Sequence, residues 1–129
     1  MENGKKSNTT FREKLIDRFL NFAVQVYKLE KSMCKTFSGR HIYSQLFRSA
    51  TSAGANYDEA TAAESKQDFI HKMQISLKEL RESFYWIKFI DKAKIIPENN
   101  DLLTFLNNEN KELLNFLGKA VSTAKKNKN

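Results

Sequence analysis

The sequence predicts an all-α protein, a single antiparallel up-down-up-down four-helix bundle over residues 1–129. Three observations predict it. One proline and four glycines in 129 residues leave long stretches without punctuation. Apolar residues recur at alternating spacings of three and four, the period of a helix with one buried face. Capping signals divide the chain into stretches of similar length.

The first helix opens at Thr10-Phe11-Arg12-Glu13, the Thr-x-x-Glu form of a capping box, in which hydroxyl and carboxylate satisfy free amides of the first turn. Leu15, Phe19, Phe22, Val26, Leu29 and Met33 then form one apolar seam. Ser38-Gly39 is expected to end this helix near Phe37. The second helix is expected from Arg40 to Ala63, with Ile42, Leu46, Ala50, Ala53, Tyr57 and Ala60 facing inward. Ser65-Lys66-Gln67-Asp68 is a second capping box. It opens a third helix whose expected core face is Phe69, Met73, Leu77, Leu80, Phe84 and Ile87. Pro97 disfavours helical geometry at Ile96, which places the end there. Asn99 or Asn100 caps the fourth helix, whose seam is Leu102, Leu106, Leu113, Leu117 and Ala120. Asn107, Asn108 and Asn110 interrupt that seam and make this helix the least stable of the four. Stretches of roughly 24–29 residues are about 36–44 Å long as helices, and matched helices joined by short loops pack most readily as an up-down bundle.

The net charge of +7 points towards nucleic acid, but much of it lies at the ends. Lys5, Lys6, Lys125, Lys126 and Lys128 against Glu2 supply more than half of the excess. They sit on segments, 1–9 and 124–129, that the composition predicts to be disordered basic tails. Those lysines are candidate contacts for RNA or DNA. Cys34 is the only cysteine, which excludes an internal disulfide and fits a reducing cytoplasm. No charge-free stretch is long enough to span a bilayer, and the polar N-terminus lacks the apolar segment of a secretory signal.

Two segments stand out. Residues 49–55, Ser-Ala-Thr-Ser-Ala-Gly-Ala, are all small and let another element approach the backbone. Either bulky residues of the third helix such as Phe84 fill that space, or a second subunit or ligand does. Beside the run lies a polar stripe of Arg48, Ser52, Asn56 and Glu59, matched on the third helix by Ile75, Glu79, Glu82 and Trp86. Arg48 is placed to pair with one or both carboxylates, since its planar fork suits them. Asn56 is expected to be hydrogen-bonded nearby.

Arg48-Ser49-Ala50, Asn56-Tyr57-Asp58-Glu59-Ala60, Phe69-Ile70 and Glu79-Leu80-Arg81-Glu82-Ser83 with Trp86 resemble the bacterial four-helix bundle proteins of the 23S rRNA intervening-sequence type. The resemblance implies the bundle fold and a homopentameric ring, and it supplies no reaction. By the same matching, Arg48, Asn56, Glu59, Glu79, Glu82 and Trp86 are the characteristic positions, a polar network or an interface.

Enzyme motifs are weak. A di-iron bundle needs two Glu-x-x-His motifs, and the chain offers one Asp68-x-x-His71. His41 and His71 have no arginine at ribonuclease-like spacing, and no glycine-rich phosphate loop exists. No catalytic residue, metal or cofactor is expected. The sequence therefore reads as a non-enzymatic, oligomeric bundle in the cytoplasm, a binding or scaffolding module with RNA or DNA as its ligand class. The alternatives are a protein-interaction module without nucleic acid, or an enzyme of unknown type using the Arg48/Glu79/Glu82 cluster.

Overall fold

The computed structural model describes residues 10–97 and 100–127. Helix α1 (Phe11–Tyr27) opens on the predicted box: the Thr10 hydroxyl accepts from the Glu13 N–H at 3.0 Å, and the Glu13 carboxylate accepts from the Thr10 N–H at 3.0 Å. It ends at Tyr27, well before Phe37. There the chain tightens, with the Leu29 N–H donating to the Val26 carbonyl at 2.9 Å, and continues as one turn, α2 (Glu30–Met33). Leu29 and Met33 stay buried through this break, so the apolar seam outlasts the helix that begins it.

Ser38-Gly39 is not a helix end. Both residues lie in the first turn of α3 (Phe37–Thr61), where the Thr36 hydroxyl accepts from the Gly39 N–H at 3.0 Å. A Cβ on Gly39 would sit 1.8 Å from the Met33 carbonyl oxygen. Glycine is needed here for the close approach of two backbones.

In α4 (Lys66–Ala93) the Ser65 hydroxyl accepts from the Asp68 N–H at 3.0 Å. The helix stops before Ile96, because Lys94 takes the left-handed conformation (φ 55°) and its N–H turns back to Asp91 and Ile90. This is a common way to close a helix C-terminus. Asn100 caps α5 (Asp101–Lys126) by accepting from the Leu103 N–H at 3.0 Å, while Asn99 lies outside the described residues. Helix α5 runs past residue 124, so Lys125 and Lys126 belong to its last turn rather than to a disordered tail. Lysines there complement the negative end of the helix dipole. Lys5, Lys6 and Lys128 lie outside the described residues.

Contacts across each seam run in opposite directions. Arg12, Phe19 and Tyr27 of α1 meet Thr61, Tyr57 and Phe47 of α3. Ser49, Ala53 and Glu59 of α3 meet Ser83, Ser76 and Lys72 of α4. Leu80 and Ile87 of α4 lie by Asn110 and Leu103 of α5, and Phe11 and Arg18 of α1 meet Phe116 and Glu109. The four long helices are therefore antiparallel neighbours in the order α1, α3, α4, α5, closing back on α1.

The seams of α1 and α3 are buried as predicted. Helix α4 differs: its buried line is Met73, Ser76, Leu80, Ser83, Ile87 and Ile90, with Phe69, Leu77 and Phe84 only half-buried. The serines allow α3 and α4 to close up. Ser49 and Ser83 share a hydrogen bond at 2.8 Å, and the Ser76 hydroxyl donates to the Ala53 carbonyl at 2.6 Å. Phe84 does not fill the small-residue run; Phe19 of α1 does, its Cβ lying 3.2 Å from where a Cβ on Gly54 would be. In α5, Asn110 is not an interruption but a fully buried part of the seam. Its amide, oriented to satisfy both atoms, donates to the Leu80 carbonyl and accepts from the Phe84 N–H, each at 3.2 Å. A buried amide with both ends paired avoids the desolvation cost of an orphaned polar group.

Candidate functional site

The close α3–α4 seam sets the reach of Arg48. Its guanidinium bonds Glu79 Oε1 at 3.2 Å and makes a shorter contact to Glu82 Oε2. The Trp86 indole N–H donates to the same Glu82 oxygen at 3.1 Å. Glu79 is largely buried, with 16% of its side chain exposed, whereas Arg48 is half exposed. The Arg48 hydrogen bond holds the Glu82 carboxyl below the usual carboxylate range; burial opposes this and the Trp86 bond adds to it. The Arg48 pKa is raised in turn, chiefly by its bond to Glu82. A carboxylate fixed in its ionised form by an arginine is the reverse of a general acid, whose pKa must be lifted towards neutrality.

Not all six characteristic residues join this cluster. Asn56 bonds within its own helix, donating to the Ser52 carbonyl at 2.9 Å and hydroxyl at 3.1 Å. Glu59 forms a separate pair with Lys72 at 2.7 Å. Along one edge of the bundle the order is thus Glu59–Lys72, then Ser52–Asn56, then Arg48–Glu79–Glu82–Trp86. Tyr85 and Phe89 extend the last group, each in an edge-on contact with Trp86 at 5.0 and 6.3 Å. Both are exposed.

Sequence reasoning missed two features. One is a second arginine network, in which Arg18 of α1 grips Glu109 with two bonds at 2.9 and 2.7 Å and reaches Glu112 at 2.8 Å. The repeated Glu-x-x-Glu spacing of residues 79/82 and 109/112 was the available signal. The other is an open apolar groove between α1 and α3, lined by Ile16, Leu20, Ala23, Thr51, Ala55 and Asp58 over a floor of Phe19, Ala50 and Gly54. Val24 and Tyr27, exposed on α1, continue its character. His41 and His71 are exposed, and burial pushes the half-buried Cys34 thiol up. Among the described residues no three His, Cys, Asp or Glu side chains gather as a metal site, and no helix is long and apolar enough to cross a membrane.

Fold and site together define a small helical bundle with an ion-paired, aromatic edge and an apolar groove beside it. The chain belongs to the 23S rRNA-intervening sequence protein family, which matches residues 12–119 and so reaches from the start of α1 into α5, stopping seven residues before that helix ends. A solved structure similar to it is the crystal structure of a protein with unknown function from the S23 ribosomal protein family of Bacteroides thetaiotaomicron VPI-5482. That protein is 34% identical, with a TM-score of 0.72, over 82% of this chain and 96% of the other. No curated protein matches the sequence.

Proposed function

We propose that this chain is a non-enzymatic bundle that assembles with copies of itself into a closed ring and serves as a binding or scaffolding module, with RNA or DNA as the ligand class. Five copies is the number that the family resemblance implies. The observation that carries the reading is the α1–α3 groove, whose rim residue Leu20 is 61% exposed and is followed by exposed Val24 and Tyr27. Contiguous apolar surface of this kind marks an interaction site. Its occupant is a second copy, entering with the Ile75, Trp86 and Phe89 flank of α4. Charge complementarity supports that choice: residues 41–64 carry one base and three acids, and residues 66–94 carry seven bases and four acids. The α3 wall of the groove, with Asp58, is therefore the acidic one that a basic α4 complements, whereas the α1 wall is itself basic, with seven bases and three acids over residues 12–40. Two unlike surfaces meeting head to tail give a heterologous contact, the kind that closes into rings. Apolar burial supplies the affinity and charge fixes the register.

Size-exclusion chromatography with light scattering tests the contact. Ala55→Arg puts a charge in the groove from an exposed position, and Trp86→Ala removes the opposing anchor. Each is expected to yield smaller species with unchanged helical circular dichroism. Assembly as in the wild type by both variants would exclude this contact.

A further inference from the structure

The outward line of α4 combines cations with an exposed aromatic ring. Gln67, His71 and Gln74 lead into Lys78, Arg81, Tyr85, Lys88 and Lys92, at spacings alternating between four and three, and every one of them is exposed. Those spacings keep all eight residues on one face of the helix. That face is about 38 Å long at 1.5 Å per residue, and it carries no carboxylate.

The acids of α4 are elsewhere. Glu79 and Glu82 turn towards α3 and share the single charge of Arg48, with Lys78 near enough to add to the field on Glu82. Asp68 lies in the first turn, and Asp91 lines the cavity shared with α5. Among the described residues Lys78, Arg81 and Lys92 enter no ion pair, and Lys88 leans over the Phe84 ring at 4.7 Å. Lys78, Arg81 and Lys92 thus stand on the outward line outside any ion pair, while Lys88 lies on its α5 side and lines the same cavity as Asp91. Tyr85, 58% exposed, stands in the middle of them, its ring propped against Trp86. At the start of α4, Lys66 shares a shallow cavity with Lys125 of α5, which extends the positive surface around that end of the bundle.

We infer that this line is a track for single-stranded nucleic acid, with Lys78, Arg81, Lys88 and Lys92 on phosphates and Tyr85 stacking on a base. A row of cations tracking the backbone and an exposed ring for stacking are the two elements that sequence-tolerant single-strand binders combine. A duplex offers the cations the same phosphates but keeps its base faces stacked away from Tyr85, so the ring favours the single strand. The inference rests on the nucleic-acid part of the proposed function and not on ring assembly. The flank that enters the groove is on the α3 side of α4, beside this line.

The test is fluorescence anisotropy of a short labelled oligouridine strand with the full chain at about 50 and about 200 mM salt, run beside a duplex of equal length. Every variant is sedimented in parallel. The wild type is expected to bind the single strand more tightly than the duplex. Lys78→Gln with Arg81→Gln should weaken binding at least tenfold and lower the salt slope by about 1.4, since each single-strand phosphate contact contributes about 0.7. Tyr85→Ala should weaken single-strand binding about tenfold, the scale of one lost base stack, with the slope unchanged. Absence of wild-type binding at the lower salt would overturn the track, as would wild-type affinity in both variants. A shift in sedimentation with affinity unchanged would overturn it too, and would assign the line to a neighbouring copy. A monomeric wild type that binds as described would leave the track standing while removing the ring.

Discussion

Two Glu-x-x-Glu pairs face arginines across two seams of the bundle, and the seams differ in what holds them. At α1–α5, Arg18, 40% exposed, presents two nitrogens to Glu109, whose side chain is 11% exposed, and shares one of them with Glu112. At α3–α4, Arg48 divides its fork between Glu79 and Glu82 and stays half exposed. Beneath Arg48 the two helices are already tied through the serine hydroxyls of Ser49–Ser83 and Ser76–Ala53. The second arginine therefore lies over a seam that packing holds closed. The first contributes a long polar bridge to its own seam. Ion pairs with the same sequence spacing thus do different jobs according to how closely the backbones beneath them meet.

The largest effect separating the seams is expected from Ser76→Leu, which forces extra volume into the closest approach of the bundle. Overpacking of this sort costs about 3 kcal/mol, read as a lower denaturant midpoint. A loss below about 0.5 kcal/mol, the range of a bland surface change, would show that the serine contact does not set the seam. Next comes Glu109→Ala, at about 2 kcal/mol, between the limits for exposed and buried pairs. Arg48→Ala should cost less, about 1 kcal/mol, because its guanidinium is half solvated and the seam beneath it is held by Ser49–Ser83 and Ser76–Ala53 without it. The reverse ranking of these two variants would break the contrast.

The smallest effect lies in pH dependence. The folded pKa of Glu82 is depressed below its ordinary 4.5, so the unfolded chain takes up that proton first as pH falls. Its contribution is complete above about 4.5, the unfolded value, and is lost as pH drops through the lower folded value. Arg48→Ala should flatten that acid limb and leave stability near neutral pH with only the loss given above. An acid limb of unchanged slope in the variant would mean that Arg48 does not set the Glu82 pKa.

The sequence made the bundle legible where periodicity and caps agree. Thr10–Glu13 and Asn100 cap as expected, Ser65 caps through its hydroxyl alone rather than as the expected box, and the α1 and α3 seams are buried residue for residue. It misled where one residue does two jobs. Gly39 resembles a helix end in sequence, yet its role is to admit the Met33 carbonyl. Ser76, Ser83 and Asn110 look like polar interruptions, but each is buried because its hydrogen bonds are completed across a seam, which a one-dimensional pattern does not show. In the site, Arg48, Glu79, Glu82 and Trp86 were found because isoleucine and tryptophan flank the two acids. Glu109 and Glu112 lacked that flank and stood among asparagines. The apolar groove was half visible as the small-residue run; the other half comes from Leu20 and Ile16 on a helix far away in sequence.

Self-association is the central claim, and sedimentation equilibrium of the nuclease-treated wild-type protein at micromolar concentration tests it most directly. The account predicts one species several protomers in mass, with the mass unchanged on dilution through that range, as a closed assembly requires. A protein that sediments at the mass of one chain throughout would contradict it.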